Sequence, residues 1–302
     1  MQISTSYLFD RATSQMSTLQ SDLAKTQNQI ATQKQVLNPS DAPDQAAAIA
    51  RLKSVIGRQN SYGSTLDVVQ NRLNAEDSTL SSVGNLLIRI KEITLQAAND
   101  TVNSENRNAL ATELQGLRDQ LLSLSNTRDV NGNYIFAGSR VQNRPFATDA
   151  NGRVSYQGDQ TRMQVEVGEQ RNVPINRPGT AAFVRVVRDG EGVGFFQSLD
   201  DLTAAVKNSD QAGMQLGMGE ADSLLQGALL AHAEVGSDMR VVEEQSTILQ
   251  DIKLTLQTAL SRIEDLDMVT AITQMNMLML SLQAAQATFA KISQNSLFNY
   301  LR

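Results

Sequence analysis

Residues 268–302 read MVTAITQMNMLMLSLQAAQATFAKISQNSLFNYLR, and Lys291 and Arg302 are the only charges in the run. Met277, Leu280, Ala284 and Ala287 continue one heptad frame. Leu278, Leu282, Ala285, Phe289 and Ile292 make a second apolar seam beside it, and Leu297 and Phe298 keep the end apolar. A helix apolar on two faces has to be buried on two faces. One partner helix covers one seam, so the second needs other chains. The alternative is a helix buried in a compact bundle, but a charge-poor, glutamine-spaced helix favours assembly. Gln274, Asn276, Gln283, Gln286, Lys291 and Gln294 interrupt the run too often for a membrane span.

The partner is expected at the other end of the chain. Phe9, Ala12, Met16, Leu19, Leu23, Thr26, Ile30, Gln33 and Leu37 fall on alternating steps of three and four, a seam of about four heptads. Asn38-Pro39 should end it, because proline restricts the preceding residue and cannot continue the ladder. Asp41, Ala42 and Pro43 keep the chain irregular until Ala46–Ile49 restart a helix. Leu66, Val69, Leu73, Leu80, Val83, Leu87, Ile90 and Ala97 form a second stripe. Leu110, Leu114, Leu117, Leu121 and Leu124 form a third. The polar break 99–103, with Ser104 as the cap, makes these two antiparallel neighbours.

From Asp129 the period changes. Asn131-Gly132 predicts a type I′ hairpin, whose two central residues both need positive φ, followed by a strand at Tyr134-Ile135-Phe136. Strands are also expected at 154–156, 163–167 and 183–187, so 131–197 reads as a β-rich insertion. Helix returns at Ser198 and again near Gly219. Val242, Leu249, Ile252, Leu256, Ala259, Ile263 and Leu266 then keep the frame that reaches Met277. The expected fold is mainly α: a long antiparallel helix bundle with paired terminal coiled-coil helices and a small β-rich insertion. The expected divisions are 1–44 with 268–302, 45–130 with 201–267, and 131–200.

Composition narrows the function. In 302 residues there are 29 Gln, no Cys, no Trp and one His, with aromatics at 4%. Zinc sites built on Cys, Cys nucleophiles and iron–sulfur clusters are excluded. A net charge of -6 argues against a whole-chain grip on nucleic acid. Met1-Gln2-Ile3-Ser4-Thr5 leads into no apolar run, so no cleavable secretory signal is expected. Composition alone would place the chain in the cytosol.

Candidate sites mostly dissolve. Asp129, Asn131 and Asn133 copy three calcium-loop positions, but Tyr134 stands where Gly is required and Arg140 where a bidentate Glu belongs. His232 lies between two alanines on a helical stretch, as a surface or packed residue. Gly192-Val193-Gly194 and Gly217-Met218-Gly219 lack a following Gly-Lys-Ser/Thr. Asp200-Asp201 suits a helix start and Glu243-Glu244 a solvated face. Met275, Met277 and Met279 read as adaptable packing. Asn99-Asp100-Thr101 fits a glycosylation triplet that is common by chance. No nucleophile–base pair emerges, and neither an enzyme nor a cofactor is expected.

The run Asn38-Pro39-Ser40-Asp41-Ala42-Pro43-Asp44-Gln45-Ala46-Ala47-Ala48, placed after the first heptad segment, resembles the flagellin superfamily. So do Leu114-Gln115-Gly116-Leu117-Arg118-Asp119-Gln120-Leu121, Asn131-Gly132-Asn133-Tyr134-Ile135-Phe136-Ala137-Gly138 and the close from Ala287-Thr288-Phe289 to Ser296-Leu297-Phe298. Within it, Pro39-Ser40-Asp41-Ala42-Pro43 is more similar to the hook–filament junction branch than to filament subunits, which usually carry Arg-Ile-Asn-Ser-Ala there. Residues 140–230 carry little of the likeness.

The resemblance implies a structural component of the bacterial flagellum. It would be exported unfolded through the type III channel, which rereads the missing signal as a secreted, extracellular destination. Its termini would be disordered in the free monomer and paired in the assembly. Implied partners are further copies, the first hook-associated protein, flagellin, and an export chaperone on the C-terminal region. A flagellin-type filament subunit is the alternative within the superfamily. A cytosolic coiled-coil scaffold is the alternative outside it, but would carry charged flanks that 268–302 lack.

Overall fold

The computed structural model describes the backbone of residues 2–298 and the side chains of residue 7 and residues 9–291. Seven helices and three short hairpins follow in the order α1 (Gln2–Thr32), α2 (Pro43–Ala97), α3 (Ser104–Leu124), β1 (Phe146–Thr148), β2 (Val154–Tyr156), β3 (Gln164–Gly168), β4 (Arg171–Pro174), α4 (Gly179–Ala182), β5 (Val186–Arg188), β6 (Glu191–Val193), α5 (Phe195–Lys207), α6 (Gln211–Glu264) and α7 (Met268–Phe298). The chain forms two compact units, Met1–Arg58 with Asp251–Arg302, and Gln59–Gln250.

The second unit holds the main core. On α2 the expected stripe is buried from Leu66 to Ala97, with Ile93 added. The seam positions that the stripe skips are Glu76 and Thr94, both buried. On α6, Met214, Ala221, Leu224, Ala228, Ala231, Val235, Val242 and Leu249 recur at three and four. The seam positions left over on α6 are polar, Asp238 and Gln245. Gly217 has no side chain because a Cβ there would lie 2.6 Å from Leu202 Cδ1 on α5. α3 returns beside α2 as an antiparallel neighbour, and Arg89 Nη2 reaches Glu113 Oε1 at 2.7 Å. The cap of α3 is Asn103 rather than Ser104, its Oδ1 accepting from Asn106 N at 2.8 Å. Asparagine serves that role as well as serine.

The region 131–200 corrects several local readings. Tyr134-Ile135-Phe136 is not a strand. It is a buried turn whose carbonyls are claimed from elsewhere: Arg72 Nη2 donates to Tyr134 O and Ile135 O, and Tyr156 Oη donates to Phe136 O at 3.0 Å. The type I′ turn is at Asp189-Gly190 (φ 52° and 84°), joining β5 and β6, whereas at Asn131-Gly132 only Gly132 has positive φ. Residues 129–133 and 149–153 instead fold as two copies of one Asp-x-Asn-Gly-x turn. In each, the first carboxylate accepts the amides two and four residues on, at 2.8–2.9 Å. The strand expected at 183–187 starts only at Val186, since Phe183 closes α4. Helix begins at Phe195 and Gln211, a few residues before Ser198 and Gly219.

Five of the eight phenylalanines meet here. Phe183 lies 5.1–5.3 Å from Phe136, Phe146 and Phe195, and Phe146 lies 5.6 Å from Phe196. Edge-on aromatic packing of this kind gives a short irregular segment a core of its own.

The terminal helix pair as candidate assembly site

In the unit formed by Met1–Arg58 and Asp251–Arg302, α1 lies antiparallel against α7. Phe9 and Phe289 meet edge-on, with ring centroids 5.0 Å apart. On α1 the expected seam faces inward: Phe9, Ala12, Met16, Leu19, Leu23 and Ile30 are half-buried and Thr26 is buried. Leu37 is a correction. Helix α1 ends at Thr32, because Gln33 turns to φ 57°, so Leu37 lies in the following link and not on the N-terminal helix. The link contains the Asn38-Pro39-Ser40-Asp41 stretch, a turn in which Asp41 N donates to Asn38 O at 3.0 Å, with proline at its second position. Lys25 pairs with Asp41 at 3.3 Å. Helix α2 restarts at Pro43, three residues before Ala46, with proline at its first position.

The heptad frame that reads continuously through 242–287 is broken at 265–267. Asp267 caps α7, its carboxylate accepting from the amides of Val269 and Thr270 and the hydroxyl of Thr270. Those bonds, the Thr270 hydroxyl foremost, hold the Asp267 carboxyl below its ordinary range. Across the break, residues 33–35 and 264–266 form a two-stranded clasp. Gln35 N donates to Glu264 O at 2.8 Å, and Leu266 N to Gln33 O at 3.0 Å. The Glu264 side chain is 10% exposed and its Oε1 receives both Lys53 Nζ at 2.7 Å and Lys34 Nζ at 2.9 Å. These hydrogen bonds depress the Glu264 carboxyl and raise the Lys34 ammonium.

The two seams of α7 part company. Ala271, Met275, Leu278, Leu282, Ala285 and Phe289 face inward, Ala271 fully buried and the others half-buried. Val269, Ala284 and Ala287 are exposed on the other side, with Met277 at 59% and Leu280 at 69%, and Ile272 and Met279 are exposed on the flank between. At 100° per residue, Val269, Leu280 and Ala287 stand opposite Ala271, Leu278 and Phe289. No charged residue lies between Met268 and Ala290. The side chains of Ile292, Leu297 and Phe298 lie outside the described residues.

The remaining positions are structural. Asp129, read as a possible calcium ligand, spends one oxygen on backbone amides and the other on Arg72 at 3.3 Å. His232 Nε2 pairs with Asp77 at 2.8 Å on a partly exposed surface. Asp200 receives Arg118 through two bonds at 2.9 and 3.2 Å, and Asp201 receives Arg188 at 2.7 Å. Gly132 and Gly138 both need positive φ. At Gly138 a Cβ would also lie 2.2 Å from Asp159 Oδ1. Among the described residues no cluster of three His, Asp or Glu could hold a metal, and no helix is long and apolar enough to cross a membrane.

Comparison with known proteins places these helices. The model of the bacterial flagellin N-terminal helical region matches residues 3–141, and that of the flagellin C-terminal helical region matches residues 218–301. The chain belongs to the flagellin family. Flagellar hook-associated protein 3 of Escherichia coli K12 is 28% identical, over 99% of each chain. Two solved structures from Legionella pneumophila, each 18% identical, share the fold. Flagellar hook-associated protein 3 gives a TM-score of 0.65 over 71% of this chain and 98% of that one, and the flagellar junction protein FlgL gives 0.58 over 65% and 99%. The two flagellin-family matches enclose the terminal pair and the long helices, and leave 142–217 unmatched.

Proposed function

We propose that this flagellin-family chain is a structural component of the bacterial flagellum that joins the hook to the filament. It would do so by helical self-assembly through α1 and α7. One observation carries the reading: α7 is apolar on two opposite faces, and α1 covers only one. The relatives named hook-associated protein 3 point to the junction rather than to the body of the filament.

In this reading residues 1–44 and 268–302 form the assembly layer, 45–130 with 201–267 the helical layer, and 131–200 the outer part. Phe9, Met16, Leu19, Leu23 and Ile30, with Leu278, Leu282, Ala285 and Phe289, hold the pair together. Met277 and Leu280 meet neighbouring subunits. The Asn38–Asp41 turn and the Asn131–Gly138 stretch support this frame. Its partners are further copies, the first hook-associated protein and flagellin. A chaperone masks the C-terminal region before type III export.

Deletion with electron microscopy tests it. Hooks without filaments, while flagellin is still secreted, are expected. Normal flagella would refute the junction role.

A further inference from the structure

A heptad seam fixes which faces meet but not how far along they meet. Phe9, Ala12, Met16, Leu19, Leu23, Thr26 and Ile30 repeat every seven residues, and so do Ala271, Met275, Leu278, Leu282, Ala285 and Phe289. Sliding α1 by one heptad against α7 still sets apolar side chains against apolar side chains. In coiled coils the register is commonly set by a polar group placed where only one alignment satisfies it. No charged side chain lies on either seam.

The polar group is at the end of the pair. We propose that the clasp between residues 33–35 and 264–266, locked by Glu264 between Lys34 and Lys53, is the device that sets the α1–α7 register.

Three observations meet there. The backbone bonds Gln35 N to Glu264 O and Leu266 N to Gln33 O form only in one alignment. Gln29 Nε2 also donates to Gln35 O at 2.7 Å, which ties the last turn of α1 to the same strand. Glu264 is the only charged residue among 251–291 that is buried. A slipped pair would pull Lys34 from it and leave a carboxylate short of a partner in a poorly hydrated place. From the clasp, 24 residues lead back along α1 from Gln33 to Phe9 and 23 lead along α7 from Leu266 to Phe289, so the ring contact falls where the clasp directs it. This role stands whether or not the chain joins hook to filament.

The chain contains no cysteine, so introduced thiols are the only ones present. Counting three on from Phe9 and four back from Phe289 puts Ala12 opposite Ala285. A one-heptad slip displaces such a pair by about 10 Å. The test compares full-length Ala12→Cys/Ala285→Cys with the slipped pair Ala12→Cys/Leu278→Cys in the assembled state, where the termini are expected to pair, and scores the intramolecular product of a thiol cross-linker shorter than that slip. With the clasp intact, the first pair should give at least tenfold more cross-linked product. Glu264→Gln should bring the two within about threefold, and Lys34→Gln/Lys53→Gln, which keeps the carboxylate, should move the ratio the same way. Circular dichroism would establish that each variant keeps its helix content. A ratio near one in the parent, no product from Ala12→Cys/Ala285→Cys, or a ratio unmoved by both sets of variants would overturn the proposal.

Discussion

Arg177 Nε donates to Glu76 Oε1 at 2.8 Å, with 4% and 2% of the two side chains exposed. The same guanidinium reaches Asp238 Oδ2 at 3.1 Å and also pairs with Glu234. A residue just after β4 therefore fills the polar gap that both long helices leave in their apolar stripes. Removing one partner of a buried pair strands the other charge, at a cost of about 3–5 kcal/mol. Arg177→Met should lower stability by an amount in that range in urea unfolding, while Glu76→Gln, which keeps a hydrogen-bonding side chain, should cost less. Equal and small effects would show the network to be solvated.

Acid should act on this unit in two opposing senses. Burial, ahead of Arg177, raises the Glu76 carboxyl, so the folded state takes up that proton first and this contribution to stability grows as pH falls through the raised value. Glu220 is the reverse case. Its carboxyl is depressed chiefly by the hydrogen bonds from Arg188, so its contribution is present above its ordinary value of 4.5 and lost as pH falls through the depressed one. Glu220→Gln should flatten the loss of stability on acidification below 4.5, whereas Glu76→Gln should remove the gain that accompanies acidification above 4.5, between that value and the raised one. Chemical unfolding at a series of pH values reads both slopes.

Gly138 and Gly132 separate backbone strain from crowding. Both have positive φ, but only Gly138 would drive a Cβ into Asp159. Gly132→Ala should cost about 1 kcal/mol, and Gly138→Ala about 1–3 kcal/mol more, since the carboxylate that receives Ser139 and Thr161 must move. Thermal melts of the two variants check the order.

The two faces of α7 should respond differently to substitution. Leu280→Gln changes an exposed position and should shift monomer stability by less than about 0.5 kcal/mol. Leu282→Ala removes a half-buried seam residue and should lower protection of α1 amides from exchange in the assembled state, where the pair is formed. If assembly is the function, Leu280→Gln should nonetheless prevent junction formation. Normal junctions in that variant would remove the exposed face from the mechanism.

Removing 1–40 and 268–302 should leave a chain that unfolds cooperatively, because the Gln59–Gln250 unit contains its own core. Loss of that cooperative transition would mean the termini are needed for folding.

The helices were legible because repeated steps of three and four leave little else for Leu66–Ala97 or Leu110–Leu121 to be. The same reading could not see position 76 or 238. A seam read from apolar residues passes over the charges whose partner, Arg177, comes from about 100 and 60 residues away. The ends of α1 and α6 leave no mark in the apolar period for another reason: Gln33 closes α1 by turning to positive φ, and Asp267 caps the start of α7 after α6 has ended at Glu264. Asp189-Gly190 and the second Asp-x-Asn-Gly turn at 149–152 were open signals in the sequence, overshadowed by Asn131-Gly132. On α7 the two seams were visible from spacing. Which of them α1 takes depends on the clasp, which no period records.

The outer face of α7 has nothing that titrates and nothing that salt can screen from Val269 to Ala290. A contact made through it has, from this side, no ion pair for salt to weaken and no group for acid to protonate, so this face contributes through apolar packing. In the proposed joint, contacts of that kind follow from leaving charge out, and they leave the isolated chain with an uncovered apolar strip.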